Sequence, residues 1–413
     1  MKKILNFLFD FIILFGFLFE CHFIGDSLTT RRLAAVIAFV YLVIHFNEVT
    51  ILFGQIRKKN FRRVLGAFIF CSLLVLISKN DTSYSYNSYF EVWYFVNIFL
   101  YVIIFPVFCF FRLKSVKYLV WLLSAILIVQ AVVVFMSYIS TPVRVFLYEF
   151  FYDGDDRFEQ QIINGTRIMG IALHSSTGSI TCSAIALLLS YATLKKDLPY
   201  LSYVILFSVL ILMTLFIGRT GVLVEIVLFA FTLFFHPSKS IYKIGLLIPI
   251  FALFLYSLTT IIASSDSNTT ETFVKWMTGL FNEDRTDTFN AIKSDGFPSL
   301  THEFIFGTGI MTGKTPEGVV LRSDSGYVRL YTSLGIVGGI LYYWAFYNLF
   351  NIARPKRYSS RIISLFFSLI IIIAYIIEYK EPFMMKYIFP WSIVITGLFI
   401  AKDENENIFY KQQ

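Results

Sequence analysis

Charge is scarce in this chain: 15% of its 413 residues are Asp, Glu, Lys or Arg, against 57% that are hydrophobic. A water-soluble fold cannot hide that much apolar surface, so a soluble enzyme or binding module is excluded. Cysteine is also sparse. Cys21, Cys71, Cys109 and Cys182 all fall in apolar runs, and none has the spacing of a metal-ligand set or a disulfide framework, so they read as buried packing residues. No P-loop and no dinucleotide-type glycine pattern is present, which leaves no nucleotide site and no cofactor to expect. There is no internal repeat strong enough to argue inverted symmetry. The apolar run after Met1-Lys2-Lys3 carries no small-residue cleavage site, so it is expected to stay as a first span.

What the chain does have is apolar runs, and a mean hydropathy of +0.70. Many match the length of about 20 residues that a helix needs to cross a hydrocarbon core, whereas a β-barrel would show short alternating segments. The 47 Phe suit lipid-facing surfaces, and the 25 Tyr and 5 Trp suit interfacial belts. The expectation is an all-α polytopic integral membrane protein with about twelve spans, near 4–23, 33–53, 64–78, 91–111, 118–139, 177–194, 200–217, 222–235, 244–262, 327–350, 362–377 and 387–401. Three of them (64–78, 222–235 and 362–377) are short, and so candidates for burial in protein, a break or a re-entrant partner.

The net charge of +8 does not point to nucleic acid, because the basic residues sit in short loops between spans. Starting inside, the cytoplasmic loops and termini hold about 20 Lys and Arg and the short outer loops about six, which puts both termini in the cytoplasm. Two larger loops then lie outside, at 140–176 and 263–326, the second between spans nine and ten of a single transmembrane domain covering 1–413. ATP is not available on that face, so energy must come from the substrate or an ion gradient.

The polar residues concentrate in those loops. Asp153, Asp155, Asp156, Arg157 and Glu159 form an acidic run, which reads as a solvated loop and matches no EF-hand spacing. Arg167, ahead of Ile168-Met169-Gly170 and His174, is either a phosphate binder or an interfacial anchor. Arg219, in the short connection Gly218-Arg219-Thr220-Gly221, either receives an anionic ligand or pairs internally with Glu225. The large loop adds Arg285, His302, Glu303, Arg322 and Asp324, followed by Arg329, and its Phe306-Gly307-Thr308-Gly309 turn is a weak candidate phosphate nest. Asp10, Glu20, His45, Glu48, Glu91 and Glu378 are scattered over helix ends and read as helix glue or interface residues. Arg167, Arg219, Arg285 and Arg322 share one side of the membrane and together suggest a polyanionic substrate such as a pyrophosphate.

In three stretches the chain resembles the O-antigen polymerase and ligase superfamily, the Wzy-type polymerases and their ligase relatives. Arg167-Ile168-Met169-Gly170 with His174 looks like its Arg-x-x-Gly segment, and Gly218-Arg219-Thr220-Gly221 like its Ser-Arg-x-Gly element. Arg285 with Phe289-Asn290-Ala291-Ile292, then Phe306-Gly307-Thr308-Gly309, looks like the start of its large outer loop, and Asp324-Ser325-Gly326-Tyr327 with Leu334-Gly335-Ile336-Val337-Gly338 like the return into the membrane. The ligases place a His-Asn pair at the loop exit. Here Arg322-Ser323-Asp324-Ser325-Gly326 stands there instead, which favours polymerase.

The resemblance implies a GT-C-like membrane glycosyltransferase at the outer face of a bacterial inner membrane, with its active site toward the periplasm. It would join undecaprenyl-pyrophosphate-linked oligosaccharide repeat units, with undecaprenyl pyrophosphate as leaving group and neither metal nor cofactor. Membrane lipid, a flippase and a chain-length regulator are the implied partners. Arg219 and Arg285 would hold the pyrophosphate, helped by Arg167 and Arg322. Asp324, and after it His302, would activate the acceptor hydroxyl. A ligase of the same superfamily and a twelve-span flippase or transporter are the competing expectations.

Overall fold

The structure, a computed structural model, describes residues 2–24, 28–47, 57–78, 85–89, 93–151, 168, 170–171, 175–236, 305–314, 320–321, 325–352, 354 and 360–411. The expected ninth span, 244–262, lies outside these residues, as do Arg167, Arg285, His302, Arg322 and Asp324; of Arg219 the backbone is described but not the side chain.

Helices make up most of the described chain. In order they are α1 (Lys2–Leu18), α2 (Thr30–Ile44), α3 (Lys58–Ser78), α4 (Trp93–Leu113, π-helical at Phe99–Ile104), α5 (Val116–Ile139) and α6 (Thr141–Phe151). Then come α7 (Ser175–Leu194), α8 (Tyr200–Ile217), α9 (Arg219–Phe235), α10 (Gly326–Phe350), α11 (Arg361–Glu378) and α12 (Ile388–Lys411). Short strands, absent from the sequence expectation, join the loops. β1 (His22–Ile24) pairs antiparallel with β2 (Leu28–Thr29), and β3 (Ser85–Tyr89), β4 (Ile310–Lys314) and β5 (Val320–Leu321) form an antiparallel sheet in that order.

Among the described residues seven helices are long and apolar enough to cross a membrane: α3, α4, α5, α7, α8, α10 and α11. Helices α1, α2, α9 and α12 stand at four more of the expected spans. The outward faces carry the mark of a lipid surround. On α11, Leu365, Ile372 and Ile376 are exposed, while Phe366, Phe367, Ile370 and Ala374 on the opposite face are buried. In water such a row of exposed aliphatic side chains would cost roughly 25 cal/mol for each Å².

The expected short spans are longer than the apolar runs suggested. Helices begin at Lys58, Arg219 and Arg361 because basic residues that bound the apolar run occupy first turns of helix. Basic side chains tolerate that position by laying their stems along apolar surface and keeping the charge at the edge. Arg63 does so over the Trp344 ring, 5.8 Å from its centroid, and donates to Asn348 Oδ1 at 3.5 Å.

The chain forms two compact units. The first takes Met1–Ile37 and Leu113–Asn282, and α7 is its axis: 94% of the α7 apolar window is buried. The sequence explains this central place. Ser, Thr, Ala and Cys dominate α7, small side chains let neighbouring helices approach closely, and the hydroxyls of Thr181, Ser183 and Thr193 donate back to carbonyls one turn earlier. The ends of this unit are closed by side chains. Arg31 donates to the Phe17 carbonyl at 2.9 Å and pairs with Glu20, so it caps α1. Arg144 donates to the Ser137 and Tyr138 carbonyls at 3.0 and 2.9 Å and caps α5. Asp10 accepts from the Tyr118 hydroxyl at 3.1 Å.

The second unit takes Ala38–Arg112 and Glu283–Gln413. Its core is aromatic: Phe68 meets Tyr342 and Phe346, Phe105 meets Trp391, and Phe110 meets Phe399, with ring centroids 5.1–6.3 Å apart. All four cysteines of the chain are buried and none is in a disulfide.

Candidate functional site

Two polar assemblies stand out, one in each unit. In the first, α8 and α9 are separated by a single extended residue, Gly218, whose N–H returns to the Thr214 carbonyl at 2.8 Å. Arg219 is therefore the first residue of α9, at the end where helix N–H groups point outward and the dipole favours an anion. Ser179 of α7 holds this corner by accepting from the Gly221 N–H at 2.7 Å and donating to the Gly218 carbonyl at 3.2 Å. Gly221 is needed there for space, since a Cβ would lie 2.6–2.8 Å from Ser179 and Thr214 atoms.

The turn after Arg167 docks on the same corner. The Ile168 N–H donates to the Phe216 carbonyl at 3.2 Å, and the Ile168 side chain is buried. Gly170 has φ +59°, a left-handed conformation that glycine adopts without strain. It packs on Gln130, whose Oε1 accepts from the Ile171 N–H at 3.1 Å. The structure thus joins the chain next to Arg167 to the chain just ahead of Arg219. Gln130 is the residue that sequence reasoning missed. A glutamine in mid-run, between Val129 and Ala131, was its signal, because an amide inside an apolar span needs a partner.

One turn along α9 from Gly221, Glu225 is fully buried. Its described partner is a hydroxyl: Thr214 Oγ1 lies 2.7 Å from Glu225 Oε1 and 2.8 Å from the Leu210 carbonyl oxygen. Glu225 Oε2 has no hydrogen-bond partner among the described residues. Between the two readings of Arg219, the described atoms thus tie Glu225 to α8 through Thr214.

In the second unit the Gly-x-Gly turn has a different role from the phosphate nest considered above. Helix α10 breaks at Gly335, with φ +65° and ψ −175°. The break frees carbonyls one turn upstream, and the turn fills them: the N–H groups of Thr308 and Gly309 each donate, at 2.9 Å, to Thr332 and Ser333. Gly307 and Gly335 pack backbone to backbone, and a Cβ on either would overlap the other's main chain. The donors that would cradle a phosphate are spent on the helix. The turn is a plug in a broken helix, a break that bilayers tolerate only where protein re-satisfies the backbone.

Arg322 and Asp324 lie in sequence between the end of β5 at Leu321 and the start of α10 at Gly326. The start of α10 rests on Glu378, the last residue of α11, which is fully buried. Glu378 Oε2 accepts from the Met384 N–H at 2.9 Å and Oε1 from the Tyr343 hydroxyl at 3.3 Å. Among the described residues no three His, Cys, Asp or Glu side chains come together as a metal site.

No protein-family model matches the chain, and neither a curated protein nor a solved structure matches it.

Proposed function

We propose that the protein is a membrane polymerase that joins polyprenyl-pyrophosphate-linked oligosaccharide repeat units into an O-antigen or related surface polysaccharide. The observation that carries this reading is the backbone bond from Ile168 to Phe216, which ties the residue after Arg167 to the end of α8, three residues ahead of Arg219. In this reading the guanidiniums of Arg167 and Arg219 receive the anion, with the first turn of α9 supplying outward-facing N–H groups. In glycosyl transfer from such a donor the pyrophosphate gains charge as the glycosidic bond breaks. Fixed cations therefore stabilise the transition state more than the ground state.

Arg219 and Arg285 hold the pyrophosphate in this reading, with Arg167 and Arg322 beside them. Asp324 takes the proton of the acceptor hydroxyl, with His302 the second candidate. Twelve spans, a GT-C-like arrangement, cytoplasmic termini and an active site toward the periplasm of the inner membrane belong to the same proposal, as do membrane lipid, a flippase and a chain-length regulator as partners. The test is polymer formation by a gene-deletion strain complemented with Arg219→Ala or Arg285→Ala. Surface glycan capped at one repeat unit, with the variant protein inserted normally, supports the reading; normal polymer with either variant overturns the pyrophosphate assignment. Transfer of finished glycan failing instead would mean a ligase, and lipid-linked units trapped inside a flippase.

A further inference from the structure

Glu378 stood in the sequence as one of several scattered embedded carboxylates. The structure gives it a specific place. It is fully buried at the end of α11, against the first residue of α10. Gly326 is in contact with its carboxylate, and a Cβ there would overlap Oε1 and Cδ, so no other residue fits at this position without moving the acid. Ser325, the last residue before the helix, is itself fully buried.

The carboxylate is held from three sides. The Met384 N–H and the Tyr343 hydroxyl donate to its two oxygens, and Arg329, within the first turns of α10, adds a charge interaction. Tyr343 is braced in turn. Its ring lies tilted against Tyr327 with centroids 4.8 Å apart, its carbonyl accepts from the Tyr375 hydroxyl at 2.7 Å, and the Tyr327 hydroxyl donates to the Tyr375 carbonyl at 2.7 Å. A carboxylate beside the opening turn of α10 also meets the positive end of that helix dipole.

We infer that Glu378 is a positioning residue. Its carboxylate seats the first turn of α10, which Arg322 and Asp324 shortly precede in sequence. This rests on the polymerase reading, in which the loop exit presents the proton acceptor. A wandering exit costs rate more than donor affinity, because the pyrophosphate is received chiefly by arginines elsewhere.

The experiment uses the full-length protein in lipid nanodiscs, with undecaprenyl-pyrophosphate-linked repeat units as both donor and acceptor, and compares wild type with Glu378→Ala, Glu378→Gln and Gly326→Ala. Glu378→Ala and Gly326→Ala are expected to lower kcat by about tenfold or more with the donor KM within about twofold. Glu378→Gln is expected to recover most of the rate, because its amide oxygen still accepts from the Met384 N–H. Hydrogen exchange at the amides of Gly326–Arg329 should rise in Glu378→Ala and stay near wild type in Glu378→Gln. Wild-type kcat in Glu378→Ala, a Glu378→Gln as slow as Glu378→Ala, or a loss that resides in KM would each overturn the inference while the polymerase reading stands. A wild-type protein that forms no polymer under these conditions overturns that reading, and the inference with it.

Discussion

The N–H of Ile168 donates to the carbonyl of Phe216 across 3.2 Å, from a turn between two helices to the last turn of α8. Such a bond between distant backbone segments is seldom made without a reason, since a buried turn must find partners for every polar group. Here the partners come from α5, α7 and α8 at once: Gln130 for Ile171, Ser179 for Gly221, and Phe216 for Ile168. The corner that begins α9 is thus pinned by hydrogen bonds from three helices. That is the condition for electrostatic stabilisation, which loses its advantage if the charges must reorganise.

Under the proposed function, in which the two act on one leaving group, Arg167→Ala and Arg219→Ala should each abolish polymer, and the double variant should be no worse than either alone. Arg219→Lys should recover little, since an ammonium cannot meet two phosphate oxygens in one plane. Gel analysis of surface glycan in complemented deletion strains checks both statements.

Gly170→Ala should destabilise the protein by about 1–3 kcal/mol, from the strained positive φ and the overlap with Gln130. Gln130→Leu should also destabilise, leaving the Ile171 N–H without its acceptor at a cost of about 1–3 kcal/mol. Melting temperatures in detergent, read beside Gly66→Ala as a control with open space around its Cβ position, separate these effects from general sensitivity.

Thr214→Val removes the hydroxyl that faces Glu225 and should cost about 1–3 kcal/mol, whereas Thr214→Ser should remain close to wild type. Glu225→Gln should be milder than Glu225→Ala, which also leaves a cavity in a fully buried site. Thermal unfolding of the purified variants tests the order.

Gly335→Ala and Gly307→Ala should be the most damaging single changes in the second unit, because each Cβ meets main-chain atoms that cannot swing aside. Loss of the folded protein, or protease sensitivity within the large loop, is the expected outcome. A Gly335→Ala protein of wild-type stability would contradict the plug described for the Phe306–Gly309 turn.

The positions of the helices were legible because apolar runs of span length have few other uses, and α3, α4, α5, α7, α8, α10 and α11 lie where those runs do. Their starts were less legible. Lys58, Lys59, Arg62 and Arg63 look like a loop in one dimension and are helix in three, since a long basic side chain reaches the membrane edge from inside a helix. Gly218, Arg219 and Gly221 were singled out correctly as a tight connection, but Ser179 was hidden among the small residues of α7 that also serve packing. Gly307 and Gly309 offer only a weak phosphate-nest signal, and their actual partner is hidden, because nothing in Leu334-Gly335-Ile336 distinguishes a helix break from an ordinary helical glycine. The strand pairing of β3 with β4 joins segments more than two hundred residues apart, a separation at which local pattern carries no signal. Arg285, His302, Arg322 and Asp324 lie outside the described residues, so the roles proposed for them are left to chemical tests and not to distances.

The central claim is that this chain lengthens a lipid-linked glycan. The most direct measurement is the size ladder of surface polysaccharide from a strain lacking the gene, with and without the wild-type copy. The account predicts glycan of a single repeat unit in the deletion strain and a full ladder on complementation. A complete loss of surface glycan with lipid-linked units held inside the cell, or a long polymer left on its lipid carrier, would contradict it.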